Sequence, residues 1–311
     1  MNLLKIKALR VYFPTDDGIV KAVDGVDLNI KREEILGLIG ETGCGKTVLG
    51  MSIMRLIQST TLTDGEIIYK DRDLLSLSDD EMRKIRGGEI AMVLQNPMTS
   101  LNPVIRVGEQ IAETIRLHQG LDKKAARKRV IEMLRDVRIP DPEKSVDSYP
   151  HQLSGGMQER VMIAMALASN PELIIADEPT KGLDVTVKRE IIRLMKEVTA
   201  KRSMLFITHD LGAAAEICDN IAVMYAGELL EHASVDSIFS EPLHPYSEGL
   251  LNSLPERGLK PIRGISPSLI DTPQGCRFHP RCDYAMEICR KKHPEMVKLE
   301  DGRAVRCFLY A

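Results

Sequence analysis

The chain has 311 residues, 43% of them hydrophobic and 28% charged, with a formal net charge of -3 at pH 7. That length holds one large domain with an appendage, or two domains. With no tryptophan, only five phenylalanines and interspersed charges of both signs, the composition argues against base stacking or phosphate-backbone binding as a main activity.

The opening stretch, MNLLKIKALRVYF, alternates like a strand and lacks the pattern of a secretory leader. VDLNI and EILGLIG read as further strands, and the turn signal TDG (Thr63 to Gly65) stands before another, EIIYK. From about Leu74 to Pro150 the pattern becomes helical and charged. DKKAARKRVIEMLRDVRI (Asp122 to Ile139) places its apolar residues at helical spacing. Apolar strands return in ELIIAD and SMLFITHD, each after a helical stretch, which predicts parallel pairing. The longest apolar run, VMIAMALA (Val161 to Ala168), is far short of the roughly 20 residues a membrane span needs. The chain is therefore expected not to cross a bilayer, and to lie in the cytoplasm with reduced thiols. Pro and Gly become frequent after Pro242, where a C-terminal extension is expected to begin.

Three motifs carry chemistry. GETGCGKT (Gly40, Glu41, Thr42, Gly43, Cys44, Gly45, Lys46, Thr47, followed by Val48) lies between an apolar strand and a helical run, the context of a phosphate-binding loop. Gly43 and Gly45 let the backbone wrap an anion with its N–H groups. Lys46 neutralises the β- and γ-phosphates, and the Thr47 hydroxyl coordinates Mg²⁺. Cys44 reads as a small filler. LIIADEP is an apolar strand ending in two carboxylates: Asp177 to hold Mg²⁺ and Glu178 to polarise an attacking water. LSGGMQER puts Ser154, Gly155 and Gly156 at a helix start with N–H groups free for a second anion contact, which predicts a nucleotide shared across a dimer.

Taken with Gln95 in VLQNP, Asp184 in GLD and His209 in ITHD, these motifs stand in the order of an ABC-type ATPase, which the chain resembles. The resemblance implies an α/β fold: an ABC cassette with a RecA-like core, a mixed sheet and a helical subdomain. It implies ATP and Mg²⁺ as cofactors and two cassettes packed head to tail. By position, Gln95 senses Mg²⁺ and the attacking water, His209 contacts the γ-phosphate, and Asp184 lies in the loop that crosses to the opposite cassette. Ser154, Gly155 and Gly156 touch the partner's γ-phosphate. Tyr12 or Phe13 stacks on adenine, strand alternation favouring Phe13. Met157 and Glu159 depart from the commonest signature, where Gln is usual at both places.

EPLHPYSEGLLNSLP (Glu241 to Pro255) resembles the segment that follows peptide-importer cassettes, and so do QNPMTSLNPVIRVGEQI and SGGMQERVMIAMAL. The expected organisation is a nucleotide-binding domain over 1–240, its helical subdomain over about 96–165, and an importer extension over 241–311. The resemblance implies an ATP-hydrolysing subunit on the cytoplasmic face of the membrane, powering uptake of dipeptides or oligopeptides. Its partners are two integral membrane permease subunits, a second cassette (a paralogue or a copy) and, indirectly, an extracytoplasmic peptide-binding protein, with no nucleic acid. Nickel import, and a non-transport ABC ATPase acting on nucleic acid or ribosomes, stand as alternatives.

Four of the six cysteines, Cys276, Cys282, Cys289 and Cys307, fall in the last 36 residues. A reducing compartment disfavours disulfides, and a short polar segment gains from a metal. Four thiolates suit zinc or an iron–sulfur cluster. Close Cys pairs typical of zinc are missing, and the peptide-importer resemblance implies a [4Fe–4S] cluster in at least some members. His279 and His293 could substitute as ligands, although lone polar histidines are more often surface residues, and Cys218 reads as a buried small hydrophobe. The cysteine segment is expected to stand outside the ATPase, so that replacing Cys282 would leave nucleotide affinity largely intact.

Overall fold

A computed structural model describes residues 1–58 and 60–311. Its strands, in chain order, are β1 (Asn2–Thr15), β2 (Gly18–Lys31), β3 (Ile35–Ile39), β4 (Leu62–Tyr69), β5 (Arg72–Asp73), β6 (Ile90–Val93), β7 (Leu173–Asp177), β8 (Ser203–Thr208), β9 (Asn220–Tyr225), β10 (Glu228–Ser234), β11 (Val297–Lys298) and β12 (Ala304–Val305). Contacts divide the chain into two compact units, one of Met1–Leu75 with Ile207–Ala311 and one of Ser76–Phe206.

In the first unit, β1 and β2 form a long antiparallel hairpin, and β1 also pairs with β4. The alternation of β1 slips between Ile6 and Leu9. Leu4 and Ile6 are buried at even positions, Leu9 and Val11 at odd ones. The slip is a bulge at Ala8, whose φ of 46° puts it in the left-handed region. Opposite the bulge sits Gly65, where an added Cβ would lie 2.7 Å from the Lys7 carbonyl oxygen and 2.8 Å from that of Ala8. TDG is therefore not a turn before a strand, as its composition predicts. It lies inside β4, and its glycine accommodates the bulge of the neighbouring strand.

The same unit carries a mixed sheet segment. β3 pairs parallel with β9, and β9 turns back antiparallel to β10 through Ala226 and Gly227. β12 then pairs with β10, placing Ala304 and Val305 opposite His232 and Glu231, and β11 pairs with β12. The last strands of the chain thus cover β10, at the edge of that sheet. The extension also has apolar burial of its own, which a reading of the segment as short and polar does not predict. Leu243, Val305 and Cys307 form a buried cluster, and the rings of Tyr225, Tyr246 and Phe278 meet with centroids 4.6–5.4 Å apart.

The second unit contains the predicted helix, Lys123–Asp136, capped by Asp122 through the Ala125 N–H. Before it lies a strand that the helical reading of 74–150 missed: β6, only four residues long, pairs parallel with β7. Four residues are too few to show a period of two against a charged helical background. The helices Val107–Gln119 and Gly155–Leu167 complete the apolar interior of this unit. Among the described residues no helix is long and apolar enough to cross a membrane.

Candidate nucleotide site and cysteine cavity

The loop Gly40–Thr47 leads from β3 into the helix Lys46–Ile53. Gly45 caps that helix with φ 108°, and a Cβ there would lie 2.0 Å from the Ala22 carbonyl oxygen, so only glycine fits. Gly43, with φ 85°, would meet nothing within 4 Å and faces open space. Lys46 is buried. Its ammonium donates to the carbonyls of Gly40 (2.7 Å) and Glu41 (2.9 Å) and lies 3.7 Å from the Cys44 sulfur. Cys44 is buried as a filler. Burial pushes its thiol up, against the pull of Lys46. Thr42 and Gly43 are exposed at the mouth of the loop, and Thr47 and Val48 are half-buried.

Of the two aromatic candidates, Tyr12 is committed elsewhere. Its hydroxyl donates to Asp24, and burial together with that bond pushes its pKa up to about 12. Phe13 pairs with Val20 across the hairpin and is half-buried, with no polar group to satisfy. His209 follows β8, exposed, on the turn before the helix Leu211–Ile217. That helix is capped by Asp210, which accepts from the Ala213 N–H at 3.0 Å.

In the second unit, Asp177 ends β7 and is buried, and Glu178 follows it. Glu178 has φ 50°, a left-handed conformation that costs a non-glycine residue on the order of 1 kcal/mol or more. Gln95 lies on the bend after β6, half-buried. Ser154 caps the helix Gly155–Leu167, its hydroxyl accepting from the Met157 N–H at 3.4 Å, and it is exposed together with Gly155. Gly156 is held close to its neighbour: a Cβ there would approach Val187 to 2.8 Å. Asp184 caps the next helix, Val185–Val198, by accepting from Thr186 and Val187 N–H groups at 3.0 Å. Glu159 is buried with one oxygen that has no partner among the described residues, and burial raises its pKa to about 8.

Cys276, Cys282, Cys289 and Cys307 line one apolar cavity with His244, Phe278, His279, Tyr284 and Met286. All four are free thiols. Burial pushes Cys276 up to about 12 and also raises Cys282 and Cys307. Among the described residues, no three or more His, Cys, Asp or Glu side chains form a set that could hold a metal ion. His279 keeps its Nδ1 on the Cys276 carbonyl (2.9 Å), and His293 pairs with Glu228 at 2.8 Å. Cys218 is buried against Gly37, as expected of a small hydrophobe.

The sequence reading missed several residues around this cavity. His244 is fully buried. Its Nδ1 accepts from the Tyr246 N–H (2.9 Å), which leaves Nε2 as the protonated nitrogen, a buried donor with no partner among the described residues. Burial lowers its pKa to about 3, so the ring is neutral. Glu231, buried on β10, accepts from the Leu243 and His244 N–H groups at 2.8 and 2.9 Å and anchors the extension. Arg277 and Arg281, next to Cys276 and Cys282, are both buried, and both reach the nucleotide half of the unit. The detachment of this segment expected from its position in the chain is therefore not what the structure has. A charged residue beside a cysteine was the available signal, but its partner lies some 250 residues away and no local pattern marks it.

The chain belongs to the ABC transporter family, whose profile matches residues 23–181. A second profile, the oligopeptide/dipeptide transporter C-terminal region, matches residues 230–289. The probable peptide ABC transporter ATP-binding protein y4tR of Sinorhizobium fredii is 46% identical over 98% of this chain and 94% of its own. The oligopeptide transport ATP-binding protein AppD of Bacillus subtilis is 47% identical over 99% and 97%. The fold is likewise that of a solved ATP-binding cassette, MJ0796 in a dimeric post-hydrolysis state bound to ADP and Pi. That chain superposes with a TM-score of 0.67 at 30% identity, covering 75% of this chain and 98% of its own. The cbiO1 subunit of Clostridium perfringens gives 0.65 at 29%, covering 77% and 91%.

Proposed function

We propose that this chain is the ATP-hydrolysing subunit of an ABC importer for dipeptides or oligopeptides. The observation that carries the reading is the loop Gly40–Thr47, whose glycine-only cap opens a helix and whose lysine is buried among loop carbonyls. Curated relatives named for peptide transport match nearly the whole chain, which favours peptides over nickel and over a non-transport role.

Within that reading, Lys46 holds the β- and γ-phosphates, and Thr47, Gln95 and Asp177 hold Mg²⁺. Glu178 polarises the attacking water, and His209 contacts the γ-phosphate. Ser154, Gly155 and Gly156 engage the nucleotide of a second cassette, with Asp184 at the crossing loop. The exposure of Ser154 and Gly155 supports that assignment, as does the dimeric state named for the MJ0796 cassette. The commitment of Tyr12 to Asp24 favours Phe13 as the ring that stacks on adenine. The domain assignment is a nucleotide-binding domain over 1–240, with its helical part over about 96–165, and an extension over 241–311.

Two membrane permease subunits complete the transporter and hold this chain at the cytoplasmic face. The exposed apolar side chains Met98, Val104 and Ile105, directly after Gln95, suit a docking helix of such a subunit. The second cassette is a paralogue or a copy, and an extracytoplasmic peptide-binding protein delivers the substrate.

The four cysteines are assigned to a [4Fe–4S] cluster. The donor set is all thiol and lines one apolar cavity, and the buried His244 Nε2–H is a donor suited to a sulfur acceptor. When bound, the cluster ties four distant positions of the extension together. Purification from a detergent-solubilised membrane tests the whole reading. Two integral membrane proteins are expected to accompany the chain. Recovery with ribosomes or DNA alone, across salt concentrations, would overturn it.

A further inference from the structure

The turn that carries Cys276 and Cys282 also carries two buried arginines, and each ends on a segment that handles nucleotide. Arg281 donates from Nη1 to Glu41 Oε2 and from Nη2 to Glu41 Oε1, both at 2.9 Å. Its Nε donates to the Arg263 carbonyl at 2.9 Å, and Nη1 also reaches Ser266 (3.2 Å). The guanidinium therefore has one fixed orientation. Glu41 is gripped at its backbone too, where its N–H donates to the Tyr246 hydroxyl at 2.9 Å. The Glu41 carbonyl in turn accepts from the Lys46 ammonium. Only Glu41 thus separates the arginine beside Cys282 from the lysine of the phosphate loop.

Arg277 makes a parallel link. It pairs with Asp24, the acceptor of the Tyr12 hydroxyl, and with Glu228 at 2.9 Å, and it donates to the Ala226 carbonyl. The adjacent backbone closes the circuit: Asp24 N–H donates to Gly227 (2.8 Å), and Gly227 N–H donates to Cys44 of the phosphate loop (2.9 Å). Burying a guanidinium costs several kcal/mol unless it is fully paired, and both arginines are only 7% exposed. The pairing is what makes their burial tolerable, and each has one partner on the nucleotide side, Glu41 for Arg281 and Asp24 for Arg277.

We propose that Arg281 and Arg277 are positioning residues for nucleotide: through Glu41 and Asp24 they hold the phosphate loop and the Tyr12–Phe13 strand end in shape, so that ATP affinity depends on the cysteine-bearing turn. The inference rests on the reading that Gly40–Thr47 binds ATP. A merely structural role would lower stability without changing affinity for nucleotide.

The test is equilibrium binding of a fluorescent ATP analogue with Mg²⁺ to the full chain, alongside thermal unfolding and steady-state ATPase. Arg281→Ala is expected to raise Kd roughly 10-fold, the equivalent of about 1.4 kcal/mol, and to raise KM while kcat at saturating ATP stays within about twofold. Arg281→Lys keeps the charge but loses the fork, and should recover part of the affinity. A double variant with Glu41→Gln should bind no more weakly than the poorer single variant. Arg303→Ala removes an arginine of the extension that pairs with Asp301 and Glu241 instead, and should bind ATP like the unaltered chain. An Arg281→Ala or Arg281→Lys chain that melts earlier yet keeps the original Kd overturns the proposal. Failure of the ATP-site reading looks different: there Lys46→Ala itself would leave binding unchanged.

Discussion

Arg281 binds both carboxylate oxygens of Glu41 across 240 positions of sequence. Glu41 is the second residue of the phosphate loop, and Arg281 is the residue before Cys282. Burial would raise the Glu41 pKa, but the bonds from Arg281 and Ser266 outweigh it and hold the carboxyl below its ordinary range. The carboxylate is charged at neutral pH and the pair is a true ion pair.

A first consequence concerns Cys282. Cys282→Ser is expected to lower the iron bound per chain and, through Arg281, to weaken ATP binding by several-fold. Anaerobically purified protein should be brown with a broad absorption near about 400 nm, and the variant paler. Colourless unaltered protein with one zinc per chain would contradict the cluster. Unchanged ATP affinity in an iron-free variant would separate the turn from the nucleotide site.

The two carboxylate and lysine assignments separate binding from chemistry. Lys46→Ala should abolish detectable ATP binding. Glu178→Gln should bind ATP as before and lose roughly 10²-fold or more in hydrolysis, the usual range for a general base. A phosphate-release assay beside a binding titration distinguishes them, and normal turnover by Glu178→Gln would move the base elsewhere.

Phe13→Ala should cost about 1–3 kcal/mol of adenine stacking, whereas Tyr12→Phe removes only the hydroxyl bond to Asp24. Nucleotide competition with ATP and with inorganic triphosphate reads the difference, because only the adenine compound should lose affinity in Phe13→Ala. Equal losses for both compounds would show that Phe13 shapes the loop and does not touch the base.

Glu159 makes stability depend on pH. Burial raises its folded pKa to about 8 from an ordinary 4.5, so between those values the folded chain holds a proton that the unfolded chain has released. Its contribution is fully present below about 4.5 and is lost as pH rises through about 8. Glu159→Gln keeps the shape without the ionisation. It should match the unaltered chain near pH 4 and melt several degrees higher at pH 8. Parallel melting curves across that range would contradict the buried, proton-holding carboxyl.

The cassette was largely legible because its chemistry is local. Gly45 and Lys46 are adjacent, β7 ends at its own carboxylates, and Ser154 caps the helix that its motif begins. The bulge at Ala8 was hidden because it needs Gly65 from another strand. β6 was too short to show a period. The extension misled most. Its buried ring cluster joins Tyr225 to Tyr246 and Phe278, and its arginines find Asp24 and Glu41, all from distant segments that no local pattern connects.

The most direct measurement of the central claim is peptide uptake by proteoliposomes containing this chain with its co-purified membrane subunits and binding protein. ATP supplied on the side of the cassettes should drive accumulation of a labelled oligopeptide, and Glu178→Gln in this chain should abolish it while nucleotide binding persists. Accumulation that proceeds equally with Glu178→Gln, or ATP hydrolysis that drives no peptide across the membrane, would contradict the account.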